Sequence, residues 1–197
     1  MTTQNPIDAA KHALRSDMAR RRSALSAEQR EASAQALAQT GIAFASPPSG
    51  AVVSGYAAIR DELNPLPLLK LLGARGHPIA LPVTAGKGAA LIFRAWEPGA
   101  PLKTGAFSVP VPGEDAAELT PNILLVPLLA FDRQGFRLGY GAGFYDRTLA
   151  GLRAKGSVTA IGIAFDEQRL EAVPRDAYDQ PLDWVLTPSG AIRVKTH

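Results

Sequence analysis

"NILLVPLLAFDRQGFRLGYGAGFYDRTLA", residues 122–150, decides how this chain is read. Its first ten residues form a nearly continuous apolar run, the pattern of a strand covered on both faces of a sheet. Gly139, Gly141 and Gly143 follow at alternating positions, and Phe144 opens a helix expected to reach about Leu152. In open α/β sheets, ligands collect at the carboxyl ends of strands. Glycines there let backbone N–H groups approach phosphate oxygens unobstructed, and the following helix aims its positive end at the same place. The loop of Gly139, Gly141 and Gly143, following Arg137 and Leu138, is therefore read as an anion cradle. It is neither a Walker A loop nor a Rossmann fingerprint, because no Lys-Ser/Thr follows and the glycine spacing differs. Asp146 beside a phosphate cradle would be repulsive without a cation between them, which suggests Mg²⁺.

Working outward, helices alternate with apolar strands. Asn5-Pro6 is a helix start, and Ile7, Ala10, Leu14 and Met18 recur at helical spacing to about Arg22. Ser26 and Gln29 form a capping-box pattern for a second helix, which Gly41 ends. "AVVSGYAA" (51–58) reads as a buried strand, and Asn64-Pro65 starts a third helix running through Leu72. "HPIALPVT" and "ALIFRAW" read as a hairpin around "GKG", and the proline- and glycine-rich stretch 98–121 as a long loop. "SVTAIGIAF" and "DWVLTP" supply two more strands. The expected architecture is a layered α/β/α fold with a mostly parallel central sheet, forming one domain over residues 1–197.

Composition narrows the chemistry. The chain has 197 residues, 46% hydrophobic, with 21 basic and 18 acidic side chains and a net charge of +3. Cysteine is absent, which excludes disulfides, thiolate metal sites and cysteine nucleophiles. No apolar run approaches membrane-spanning length. A cytoplasmic protein without a membrane or nucleic-acid partner is expected, and a monomer.

Several segments in order carry a resemblance. "VPLLAFDRQGFRLGYGAGFYDR" (126–147) resembles the signature of the 5-formyltetrahydrofolate cyclo-ligase family. "KHALRSDMARRRSALS" (11–26) is similar to its opening K-x-x-x-R helix, and "YAAIRDEL" (56–63) to its strand followed by an acidic pair. "GAFSVPVP" (105–112) and "GIAFDEQRLEAVPRDAYDQPLDWVLTP" (162–188) match further segments. The resemblance implies a fold like that of sugar-phosphate isomerases and CoA transferases. It also implies ATP- and Mg²⁺-dependent conversion of 5-formyltetrahydrofolate to 5,10-methenyltetrahydrofolate, with release of ADP and phosphate. Lys11 and Arg15, four apart on one helix face, would then reach ATP with the 137–145 stretch, and Arg137 and Tyr145 would serve catalysis. Asp146 and Asp179 would hold Mg²⁺. Tyr56, Glu62, Phe107, Tyr140 and Phe144 would hold the folate.

The chain departs from the family pattern at Ala142, where Gly or Lys is frequent, at Phe144, where Tyr is common, and at Tyr178, where His is. The residues alone leave two other classes open. One is an isomerase or transferase on the same layered fold without Mg²⁺. The other is a nucleic-acid binder using Arg20, Arg21 and Arg22.

Overall fold

The computed structural model describes residues 6–194. Asn5, the expected cap of the first helix, lies outside them. Helix α1 spans Pro6–Ser23 and α2 spans Ala27–Thr40. Between them the capping box closes as expected: Ser26 Oγ accepts from Gln29 N at 3.2 Å, and Gln29 Oε1 accepts from Ser26 N at 2.8 Å. Strand β1 is only Val53–Ser54, followed by α3 (Leu66–Ala74) and the antiparallel pair β2 (Ile79–Thr84) and β3 (Leu91–Ala95). The expected long loop holds a small ribbon, β4 (Lys103–Thr104) with β5 (Pro110–Val111), around a 3-10 turn at Ala106–Ser108. Next come β6 (Ile123–Pro127), the two-stranded hairpin β7 (Ala130–Phe131) and β8 (Arg137–Leu138), and α4 (Phe144–Lys155). Strands β9 (Thr159–Ile163), β10 (Trp184–Thr187) and β11 (Gly190–Arg193) complete the chain.

The seven-stranded sheet has the order β11-β10-β9-β6-β1-β2-β3. Its five inner strands are parallel, and an antiparallel hairpin closes each edge. Side chains of β6 alternate between two cores with the period of a strand. Ile123 and Leu125 join Leu37 of α2 and Leu68 of α3 on one face, whereas Leu124 and Val126 join Leu149 of α4 on the other. Each such leucine or isoleucine is fully buried, a gain of about 1.5–3 kcal/mol apiece. The layered, mostly parallel architecture is the one expected.

Three expectations are corrected. The run 122–131 is not one strand. At Pro127, which has no N–H to give a ladder, the chain leaves the sheet, and Leu129 N donates to Leu138 O at 2.7 Å in the side hairpin. The run 51–58 is a strand only at Val53–Ser54, because the following residues curl back so that Tyr56 Oη donates to Leu63 O at 2.6 Å. Strand β11 is an additional edge strand beyond the two expected at the chain's end, turned by Pro188-Ser189.

The chain order steps outward from β1 to β2 and β3 on one side, and from β6 to β9, β10 and β11 on the other. The carboxyl ends of β1 and β6 therefore flank the topological switch point, where a crevice forms.

Candidate active site

Three loops leave the carboxyl ends of neighbouring parallel strands and meet under α1. The loop after β1 carries Tyr56, Asp61 and Glu62; the chain after β6 carries Arg137 to Asp146; the chain after β9 carries Asp176 and Asp179. One face of α1 presents Lys11, Arg15, Met18 and Arg22, spaced by four, three and four residues. Met18 is buried with Leu129, Ala130 and Leu138, which seats this face on the side hairpin.

The hairpin itself is built by short-range chemistry. Asp132 is buried, and its Oδ1 accepts from Gln134 N at 2.9 Å and from Phe136 N at 3.1 Å. Its Oδ2 accepts from Val173 N at 3.0 Å, tying the hairpin to the closing segment. Gly135 sits at φ 82, and a Cβ there would come within 2.7 Å of Leu182 O. The "FDRQGFRLG" pattern is thus a folding device that delivers Arg137 and the glycine loop to the crevice.

The expected nucleotide residues converge although they are far apart in sequence. Lys11 Nζ bonds Asp176 Oδ2 at 2.9 Å and Asp179 Oδ2 at 2.6 Å. Burial works to lower the Lys11 pKa, but these two carboxylates outweigh it and raise it. Arg15 Nε donates to Gly139 O at 3.0 Å. Its guanidinium lies against Gly141, where φ is +102 and an added Cβ would stand 3.3 Å from Arg15 Cζ. Arg137 is buried, donates to Asp146 Oδ1 at 2.7 Å and also donates to Gln180 O. Burial lowers the Arg137 pKa against the pull of Asp146, yet a guanidinium stays charged at any ordinary pH. Tyr140, Gly141 and Ala142 are exposed, so the loop opens to solvent.

Both expected metal residues already have protein partners. Asp146 Oδ1 accepts from Arg137 and from Gln180 N at 3.0 Å, and Asp179 Oδ2 accepts from Lys11 and from Asp176 N at 2.8 Å. Among the described residues these bonds leave Asp146 Oδ2 and Asp179 Oδ1 without a protein donor. No group of three or more His, Asp or Glu among those residues is placed to hold a metal ion. That donor set fits an ion bound by one or two carboxylates and completed by phosphate oxygens and water.

The other side of the crevice is a pocket of about 450 Å³, within the range of small-molecule sites. Tyr56, Glu62, Leu81, Trp96 and Leu102 line it, with Arg30 and Arg60 among its polar residues. Glu62 is buried; Oε1 accepts from Tyr140 Oη at 2.6 Å and Oε2 from Ile59 N at 3.0 Å. Burial pushes the Glu62 carboxyl above its ordinary range, opposed by those two hydrogen bonds and by Arg22. Burial also pushes the Tyr56, Tyr140 and Tyr145 phenols well up, so all three stay protonated. Phe107 is 75% exposed at φ 56, with its ring 6.2 Å from that of Phe144 in an edge-to-face arrangement. An exposed aromatic held in left-handed backbone points to a functional loop.

Sequence reasoning missed Arg22, Asp61, Asp176, Trp96 and Leu102. Arg22 was legible only as part of a basic cluster, but it is buried, while Arg20 and Arg21 pair with Asp17 outside. The three arginines do not form one exposed face. The helical spacing from Lys11 was the signal that could have singled out Arg22.

The chain is similar in sequence and fold to known proteins. The profile of the 5-formyltetrahydrofolate cyclo-ligase family matches residues 7–188. A 5-formyltetrahydrofolate cyclo-ligase from Escherichia coli K12 is 33% identical over 177 residues, covering 86% of this chain and 95% of its own. One from Mycolicibacterium smegmatis is 34% identical over 154 residues, covering 73% and 77%. The structure of Aquifex aeolicus 5,10-methenyltetrahydrofolate synthetase superposes with a TM-score of 0.77 at 27% identity, over 95% of this chain and 94% of that one. The family profile takes in both ends of the crevice, from the α1 cations to Asp179, and on these grounds the chain belongs to the 5-formyltetrahydrofolate cyclo-ligase family.

Proposed function

We propose that this crevice closes 5-formyltetrahydrofolate to 5,10-methenyltetrahydrofolate at the expense of ATP, releasing ADP and phosphate. The observation that carries the reading is the junction of two half-sites. An open glycine loop flanked by Lys11, Arg15 and the N-terminus of α4 meets, through the 2.6 Å Tyr140–Glu62 bond, an aromatic pocket with a buried carboxylate.

Each part has a task. The carboxylate of Glu62 accepts N–H donors from the pterin edge, while Tyr56, Trp96 and Phe107 wall its rings. Main-chain amides of 138–145, Arg15 and Lys11 take the triphosphate. The formyl oxygen attacks the γ-phosphorus as the bond to ADP breaks; N10 then adds to the activated carbon, loses its proton and expels phosphate. Such a transfer needs positioning and charge neutralisation more than covalent help. Arg137 holds Asp146 in place, and the phenol of Tyr145 stays protonated beside the reacting groups. Asp146, with Asp179 beside Lys11, would hold Mg²⁺, which supplies neutralisation of the developing phosphate charge. No helix among the described residues is long and apolar enough to cross a membrane. The absence of cysteine fits a reducing cytoplasm, and a monomer acting on small molecules is the assembly we propose.

The test mixes protein, ATP, Mg²⁺ and 5-formyltetrahydrofolate and follows the near-ultraviolet absorbance of the methenyl product together with ADP. Product equal to ADP supports the reading. ATP hydrolysis without methenyl product, or no reaction at all, sinks it.

A further inference from the structure

Arg22 is an unusual resident of the α1 interior. Its side chain is 4% exposed, and its Nε has no partner among the described residues. An apolar side chain would fill this position at lower cost, since a buried cation with an unmet donor is destabilising. Both of its Nη atoms are engaged. Nη2 donates to Asp61 Oδ1 at 2.7 Å, Nη1 donates to Tyr140 Oη at 2.8 Å, and Nη1 also reaches Leu128 O at 3.5 Å. Burial opposes the Asp61 charge, but Arg22 outweighs it and holds that carboxyl below its usual range.

A phenol has one proton and two lone pairs, and a guanidinium can only donate. With Arg22 occupying a lone pair of the Tyr140 oxygen, the phenol proton has one charged acceptor in reach, Glu62 Oε1. The order of donation is fixed: Arg22 to Tyr140, Tyr140 to Glu62. We propose that Arg22 and Tyr140 are positioning residues that hold Glu62 as an oriented anionic acceptor for the folate, so that the glycine loop and the folate pocket share one side chain. This rests on the folate reading above. A carboxylate oxygen that accepts one bond keeps a further lone pair, so Glu62 remains open to donors from the pocket.

The groups facing Glu62 from every side are Arg22 on α1, Asp61 and Tyr56 on the β1 loop, and Tyr140 and Tyr145 on the chain after β8. Arg30 of α2 and Arg60 line the same pocket. Among the titratable groups described, Arg22 and Tyr140 act on Oε1 through a directed hydrogen-bond chain, while the backbone N–H of Ile59 holds Oε2.

The experiment compares wild type with Tyr140→Phe and Arg22→Gln over pH 5–9, measuring KM for 5-formyltetrahydrofolate, KM for ATP and kcat. It also measures equilibrium binding of the folate without nucleotide. Loss of one charge-assisted bond should raise the folate KM roughly tenfold or more, with smaller changes in kcat and ATP KM. The acid limb of kcat/KM for the folate should move to higher pH, because Glu62 has lost a bond that favours its anion. Tyr140→Phe is the deciding variant, since Arg22→Gln also strands Asp61. If wild type turns over the folate and Tyr140→Phe matches it at every pH, this inference alone is overturned. A rise of both KM values by one factor with an unmoved acid limb makes the network scaffold and also overturns it. Wild type that neither binds nor converts the folate overturns the functional reading and this inference together.

Discussion

Asp146→Asn keeps the side chain's size and its acceptor oxygen and removes its charge. Asp146 Oδ1 receives both the Arg137 guanidinium at 2.7 Å and Gln180 N–H at 3.0 Å, and the Arg137 side chain is only 5% exposed. The guanidinium cannot recover a water shell. Breaking a buried ion pair by deleting one partner costs about 3–5 kcal/mol. An amide that still accepts both donors keeps part of that, leaving a loss of roughly 1–3 kcal/mol. Each kcal/mol lowers Tm by about 2–4 °C for a chain of this size, so a fall of roughly 2–12 °C is expected. A second effect separates metal chemistry from folding. At a hundredfold excess over its Kd, Mg·ATP adds about 2.7 kcal/mol to the wild type by mass action. The variant should lose most of that gain and most of its turnover. Thermal melts with and without Mg·ATP, run beside the activity assay, read both effects. A variant that melts with the wild type in the absence of ligand would show that Arg137 does not depend on Asp146. One that keeps the full Mg·ATP gain would remove Asp146 from the metal.

Other perturbations probe the remaining parts. Burial holds the Glu62 pKa above 4.5, so the native state keeps this proton longer than the unfolded chain. Wild type therefore loses Glu62's share of stability as pH rises from about 4.5 through the folded value, and no more above it. Glu62→Gln should flatten that segment of the stability profile while weakening folate binding, and because an amide oxygen can replace only one of the two acceptors facing Tyr140 and Ile59, no gain at neutral pH is expected; an unchanged slope above pH 4.5 would contradict this. Gly141→Ala puts a Cβ 3.3 Å from Arg15 Cζ at φ +102, so a loss of about 1–2 kcal/mol and a higher KM for ATP are expected in melts and kinetics. Unchanged values in both would show that the loop relaxes freely. Phe107→Gly relieves a left-handed residue whose ring is mostly in solvent, so stability should hold or rise by roughly 1 kcal/mol, read as an unchanged or higher Tm, while the folate KM increases. A large drop in Tm would make Phe107 a structural residue instead.

Local chemistry was legible in the residues themselves. The Ser26–Gln29 capping box, the β2–β3 hairpin and the spacing of Lys11 from Arg15 depend on neighbours a few residues away and stand where expected, as does the continuous apolar run of β6 as far as Pro127. The glycine loop likewise announced an exposed, side-chain-poor turn before a helix. What only the tertiary structure decided is which groups face one another across gaps of 78 to 168 residues. Lys11 with Asp179, Arg15 with Gly139, and Tyr140 with Glu62 are contacts made by strand order and by the seating of α1 on the side hairpin. Burial decided the rest. Arg22 shares its charge with Arg20 and Arg21 and differs from them only in its helical phase with Lys11, Arg15 and Met18; that phase turns it inward and leaves the other two in water. A side chain's charge is written in its residue type, but its pKa, its partners and its cost depend on the solvent that the completed fold removes from it.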